Sequence, residues 1–224
     1  MRIETLTVGL FQVNVFLLQD EATGAWAMVD TSETADVVDE VREHLQGQEL
    51  STILLTHGHL DHAGALLPLQ AAFPRAITVL PVLEVPMFRS LPEQGSWFGA
   101  PALNRPCGRI DREIRDGEEV VIGSHRLRFL SAPGHTPGQG CFYDDQDAFV
   151  GDLLFAGSVG RTDLRMGDPV VMQASLRRLL ELPGHLRVHS GHGPDTTLAA
   201  ELATNPYLGY LRREKGLAGG GRDW

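Results

Sequence analysis

The segment LLTHGHLDHAGA, Leu54 to Ala65, constrains this chain more than any other. Three histidines and an aspartate, His57, His59, Asp61 and His62, fall within six residues, in a chain that holds nine histidines in all. An apolar run, Ile53 to Leu55, leads into them, and the small residues Ala63, Gly64 and Ala65 follow. A histidine pair spaced i, i+2 in a loop can aim both imidazoles at one point. Asp61 and His62, one turn on, can aim at a second point nearby. Neutral imidazole and carboxylate are the donor set of zinc, iron and manganese. Packed out of water without a cation, each of these groups would need its own hydrogen-bond partner, and a shared cation is the simplest one.

Three later segments repeat the theme. SAPGHTPGQG puts His135 in a Pro/Gly-rich turn after a strand, AFVGDLLFAG puts Asp152 after a strand and a glycine, and RVHSGHGPD puts His192 between two glycines after another strand. Each offers one ligand at a strand's C-terminal end, on a turn loose enough to bring backbone close.

The layout around them is α/β. Val13–Leu18 and Ala25–Val29, joined by the turn residues DEATG, read as a hairpin that ends at Asp30. Thr31 or Ser32 is expected to cap a helix running to about Gln46, with Val37, Val38, Val41 and Leu45 on one face. A strand over Leu50–Thr56, a helix over Ala63–Phe73 ended by Pro74, and a strand over Ala76–Leu80 complete the first half. Residues 82–108 break the rhythm with Pro, Gly, Trp97 and Phe98, and are expected to form a loop and short-helix insertion, either a surface excursion or a lid. Strands follow at Glu119–Ile122, Arg126–Ser131, Gly140–Tyr143 and Ala148–Val150, then a helix over Val170–Leu182, a strand over Leu186–His189 and a helix over Thr196–Ala203. This order suggests two stacked sheets with helices outside, in one domain over residues 1–210. Residues 211–224, ending GLAGGGRDW, are expected to be a partly disordered tail.

Composition removes several classes. A net charge of −10 is a poor match for nucleic-acid phosphates or an anionic membrane surface. No apolar run approaches membrane-spanning length. The opening MRIETLTVGLFQVNVFLLQD reads as two strands and not as a signal peptide. Cys107 and Cys141 form no CxxC pair and are expected as free thiols, which points to the cytoplasm. The remaining histidines have plainer readings: His44, His125 and His185 as solvated, His189 as a packed, hydrogen-bonded strand residue.

THGHLDH resembles the HxHxDH signature of the metallo-β-lactamase superfamily, and the GHT, GD and GHG elements downstream come in that superfamily's order and spacing, over residues 13–207. The resemblance implies an αββα sandwich of two mixed β-sheets flanked by helices. It also implies that His57, His59 and His135 hold one metal, that Asp61, His62 and His192 hold a second, and that Asp152 bridges them. Two Zn²⁺ per chain are the implied cofactors, with Fe²⁺ or Mn²⁺ as substitutes. A glutamate at position 59 would point to the di-iron oxidase branch, but the residue is His59. Asp30 is read as structural in this superfamily and stays off the site.

Within the superfamily, the segment after Asp152, with Gly160-Arg161-Thr162-Asp163, resembles both small glyoxalase II-like hydrolases and persulfide dioxygenases. The first implies hydrolysis of a small acyl-thioester such as S-lactoylglutathione at a dinuclear site, with Asp61 and Asp152 as the catalytic carboxylates. The second implies a mononuclear iron held by His57, His135 and Asp152. Arg161 could grip a substrate carboxylate with its planar fork, or pair with Asp163 or Asp168. Full-length glyoxalase II carries a lysine where Arg161 stands, a tyrosine where Pro194 stands and a helical C-terminal domain that holds glutathione. This chain matches none of the three. A phosphodiesterase is disfavoured by the acidic charge, a secreted lactamase by the opening residues, and a metal that merely staples the fold by the size of the chain.

Overall fold

The computed structural model describes residues 1–214 and Gly216. Its first sheet has six strands in chain order: β1 (Arg2–Val8), β2 (Val13–Gln19), β3 (Trp26–Val29), β4 (Leu50–Leu54), β5 (Ile77–Pro81) and β6 (Arg112–Ile114). β1, β2 and β3 pair antiparallel, while β3 to β6 run parallel. The second sheet is built from β7 (Glu119–Ile122), β8 (His125–Ser131), β9 (Gly140–Tyr143), β10 (Asp147–Gly151), β13 (Arg187–Ser190) and β14 (Thr196–Thr197). Its one parallel pairing is β10 with β13. Between those two strands the chain makes a small hairpin, β11 (Leu154–Phe155) and β12 (Ser158–Val159).

The two sheets stack face to face, and strand periodicity explains why. In β2, Phe16 and Leu18 point into the inter-sheet core, while Val13, Val15 and Leu17 point outward to helices. In β9 and β10, Phe142 and Phe149 meet Phe16 and Leu18 between the sheets, and Cys141, Ala148 and Val150 face the other helical layer. A strand buried on both faces reads as a continuous apolar run, which is why β2 and β3 lack polar alternation. Helices α1 (Val37–Leu45) and α3 (Leu66–Ala72) cover the first sheet. Helices α6 (Pro169–Leu179), α7 (Leu198–Thr204) and α8 (Gly209–Glu214) cover the second. The result is the αββα sandwich, two mixed sheets flanked by helices.

Two expected helices start or break elsewhere. α1 begins at Val37, because Thr31 and Ser32 are spent on tertiary bonds: Thr31 N donates to the His62 carbonyl and Ala65 N donates to the Ser32 carbonyl. Asp30 and Ser32 both have positive φ, so the chain cannot be helical there. The helix expected over Ala63–Phe73 divides into a single turn, α2 (Leu60–Ala63), and α3. At the break, a Cβ on Gly64 would lie 3.1 Å from Glu33 Cα, so the turn is shaped by close approach of the 30–36 loop. Residues 82–108 do form short helices, chiefly α4 (Val85–Arg89) and α5 (Leu91–Trp97).

Leu211 in α8 is fully buried in the second helical layer. The GLAGGGRDW tail, Gly216 apart, lies outside the described residues. Cys107 and Cys141 are free thiols, and no helix among the described residues is long and apolar enough to cross a membrane.

Candidate metal centre

β3, β4 and β5 end on the same edge of the sandwich as β10 and β13, and all seven expected ligands gather there. His57 and His59 follow β4. Asp61 and His62 sit on the one-turn helix α2, His135 on the turn after β8, Asp152 after β10 and His192 after β13. The sheets are stitched together at this edge. Asn14 of β2 spans the two: its side-chain oxygen accepts from Thr7 Oγ1 of β1 at 2.8 Å, its backbone N donates to the Gly191 carbonyl, and its side-chain amide donates to the carbonyls of Ser190 and Gly193 at 3.0 and 2.8 Å.

The donor atoms converge in overlapping groups. His57, His59 and His135 form one, with His57 Nε2 3.1 Å from His59 Nδ1 and His59 Nδ1 2.9 Å from His135 Nε2. Asp61, His62 and His192 form another, with Asp61 Oδ2 3.2 Å from His192 Nε2 and 3.7 Å from His62 Nε2. Asp152 faces both. Its Oδ1 lies 3.3 Å from His62 Nε2 and 3.7 Å from His192 Nε2, and its Oδ2 lies 3.5 Å from His135 Nε2. Nitrogens sharing a tetrahedral zinc at about 2.0–2.1 Å would be about 3.3 Å apart, close to these spacings. His62 Nε2 and Asp152 Oδ1 are buried and face each other without a well-formed hydrogen bond, as two ligands of a cation would. The residues present therefore fit a divalent metal site.

Four of the imidazoles are aimed by a bond on the ring's other nitrogen. His57 Nδ1 lies 3.0 Å from Thr56 Oγ1, His62 Nδ1 2.8 Å from Asp30 Oδ2, His135 Nδ1 2.8 Å from the Arg161 carbonyl, and His192 Nδ1 3.3 Å from the Gln12 carbonyl. Such partners fix ring orientation and tautomer. Asp30 also accepts from Thr56 N at 2.7 Å and Thr56 Oγ1 at 2.8 Å, so one buried carboxylate positions both His57, through Thr56, and His62. Glu84, fully buried in the 82–108 segment, accepts from Gly58 N at 2.8 Å and Gly138 N at 2.6 Å. It ties the loop of His57 and His59 to the loop of His135. Gln139 Oε1 accepts from Asp152 N at 3.2 Å. Glu84, Thr56 and Gln139 carry no local signal in sequence. Their roles come from chain segments far apart. Gly191 does carry one, in the G-H-G motif: a Cβ there would lie 2.4 Å from Asp152 Oδ1 and 2.7 Å from His62 Cε1.

The electrostatics divide the site. Burial, then the charges of its imidazole neighbours, holds His57 well below the ordinary histidine range, and burial with His135 brings His59 down to about 3. Both are neutral at physiological pH, with lone pairs free for a cation. His62 goes the other way: burial opposes its charge, but Asp61, Asp152 and Asp30 outweigh it and raise it. Burial likewise opposes ionisation of Asp61 and Asp152, and the neighbouring histidines overcome it, holding both below the usual carboxylate range.

The centre floors a cavity of about 400 Å³. Phe11, Leu60, Phe98, Phe155, Val159 and Leu164 supply its apolar wall. Arg161 lies at the rim, where its guanidinium is paired with Asp163 through two bonds of 2.7 Å. His44, His125 and His185 lie away from the centre. His189 is buried, bonded to Asp147 at 2.8 Å, and takes no part in it.

A sandwich of this topology, with a His/Asp cluster on this edge, is that of the metallo-beta-lactamase superfamily. The superfamily's sequence model matches residues 8–192, and the chain belongs to it. Among curated relatives, it is 37% identical over 212 residues to a hydroxyacylglutathione hydrolase, GloC, of Haemophilus influenzae, covering 93% of this chain and 98% of that one. Among solved structures it resembles TTHA1623 in a di-iron-bound form, with a TM-score of 0.80 and 37% identity over 92% of this chain and all of that one. ETHE1 from Myxococcus xanthus aligns with a TM-score of 0.75 at 25% identity, over 93% of this chain and 84% of that one.

Proposed function

We propose that this chain is a dinuclear metal-dependent hydrolase that cleaves small acyl-thioesters by glyoxalase II-type chemistry. The observation that carries the reading is the Asp152 carboxylate, with one oxygen toward His62 and His192 and the other toward His135. His57, His59 and His135 would hold one cation, Asp61, His62 and His192 the other, with Asp152 between them. Imidazole and carboxylate donors suit zinc and ferrous iron alike. Zinc is the proposed occupant, and the di-iron form of TTHA1623 makes iron the alternative to test. The full-length match to GloC supports the hydrolase reading over others in the superfamily.

Cations in such a pair lower the pKa of water and polarise a carbonyl oxygen. The chain's own residues do the rest. Asp61, a mostly buried carboxylate on the cavity floor held ionised by His62 and His192, can accept a hydrogen bond from the attacking water and orient it. Asp152 spaces the two ligand sets and keeps negative charge between them. Glu84 and Asp30 hold the ligand loops in register. A thiolate leaves readily because free thiols have a pKa near 8.5, so no dedicated general acid is needed. The two free thiols are in keeping with a reducing compartment, and we place the protein in the cytoplasm on that ground.

The test is metal analysis paired with two assays, hydrolysis of S-lactoylglutathione and oxygen consumption on glutathione persulfide. Two metals per chain with thioester hydrolysis is the expected result. A single iron with oxygen consumption would establish instead the persulfide dioxygenase reading, which the ETHE1 likeness and the His57, His135 and Asp152 subset favour.

A further inference from the structure

We propose that the cavity over this centre selects thioesters with an apolar acyl group and an uncharged thiol arm, ahead of anionic peptide thioesters such as S-lactoylglutathione. The proposal rests on the thioesterase reading and narrows its substrate class. Its basis is the composition of the cavity. Three phenylalanines from three separate elements converge on the opening: Phe11 from the β1–β2 turn, Phe98 just after α5 and Phe155 from β11. Val159 and Leu164 extend the same wall. Phe98 is 56% exposed and Phe11 38%, an arrangement that leaves ring faces open at the mouth for a ligand to cover.

Charge points the same way. Glutathione carries two carboxylates, which a binding site would meet with cations. Arg161 is the only Lys or Arg lining the cavity among the described residues, and Asp163 already occupies its fork. The next cation along, Arg165, is not part of the lining and lies over the Trp97 ring, 4.8 Å from its centroid. An anionic arm would have to displace Asp163 from Arg161, whereas an apolar arm gains by covering the phenylalanines.

The experiment uses the metal-loaded enzyme and four substrates that cross two acyl groups, lactoyl and hexanoyl, with two thiols, glutathione and N-acetylcysteamine. An acetyl, butyryl, hexanoyl series on N-acetylcysteamine accompanies them. The expected result is a kcat/KM for hexanoyl-N-acetylcysteamine at least about tenfold above that for S-lactoylglutathione, rising about two- to fourfold per added methylene. Phe98→Ala and Phe155→Ala should flatten that chain-length slope. Arg161→Ala should affect both thiol classes alike. A flat or falling slope, a preference for S-lactoylglutathione, or a loss in Arg161→Ala confined to the glutathione thioesters would overturn the proposal while leaving the hydrolase intact. Hydrolysis of none of the four would remove the thioesterase reading and this proposal with it.

Discussion

Asp30→Asn is the substitution that most sharply separates positioning from mere packing. Asp30 is buried at the end of β3, and its carboxylate accepts three bonds, from Thr56 N, Thr56 Oγ1 and His62 Nδ1. Asparagine tolerates the left-handed backbone at this position, where φ is 59°. If its amide oxygen keeps the bond from Thr56 N, its NH₂ group faces Thr56 Oγ1 and His62 Nδ1. The imidazole must then accept at Nδ1 and carry its proton on Nε2, the nitrogen that faces Asp61 and Asp152. A cation would have to displace that proton. Losing an outer partner of this kind costs about 10–100-fold in metal affinity. One lost bond to a buried carboxylate also costs about 1.5–3 kcal/mol of stability. At about 2–4 °C per kcal/mol for a chain of this length, the melting temperature of the metal-free protein should fall by roughly 3–12 °C. The assay is competition with a chromophoric chelator, alongside thermal melts of the metal-free protein. If the melting temperature drops but metal affinity stays within twofold of wild type, Asp30 is a packing residue and the argument for its role in orienting His62 fails.

Three other outcomes follow from the same geometry. Asp152→Ala should lose thioester hydrolysis and retain no more than one cation, and near-normal turnover would refute a bridging carboxylate. Glu84→Ala leaves Gly58 N and Gly138 N buried without an acceptor, each costing about 1–3 kcal/mol, and should lower both melting temperature and metal affinity; a variant that melts as wild type would show that the two loops do not depend on it. His189 offers a pH test away from the metal. Burial opposes its charge, but Asp147 and Asp195 outweigh that and raise it above the ordinary value of 6.5. A raised histidine stabilises the fold fully below about pH 6.5 and loses that contribution as pH rises through its folded value. The stability difference between metal-loaded wild type and His189→Gln should therefore shrink across that rise, and a pH-independent difference would contradict the ion pairing.

The candidate ligands are legible in sequence because each is local: His57, His59, His135, Asp152 and His192 stand beside glycine after an apolar strand, and Asp61 and His62 follow within one turn of His59. The sandwich was legible for a related reason, since β2, β3 and β10 are apolar on both faces. What escaped was set by distance along the chain. Glu84 works through partners 26 and 54 residues away, and Asp30 through Thr56, 26 residues on. β6 escaped because Arg112 and Glu113 are exposed on an edge strand, where charge is tolerated. α1 starts later than composition suggests because Thr31 and Ser32, good caps by residue type, bond instead to α2 and Ala65. Arg161 had two readings, and its guanidinium is found on Asp163.

The most direct test of the central claim is to titrate zinc into exhaustively chelated protein while following thioester hydrolysis and far-UV circular dichroism together. The dinuclear account expects near-native dichroism throughout, because a core of this size folds without a metal staple, and no hydrolysis at zero metal. Activity should then rise to a plateau at about two equivalents per chain, with a higher melting temperature as metal binds the folded state. Full hydrolysis by the metal-free protein, or a plateau reached at one equivalent, would contradict it.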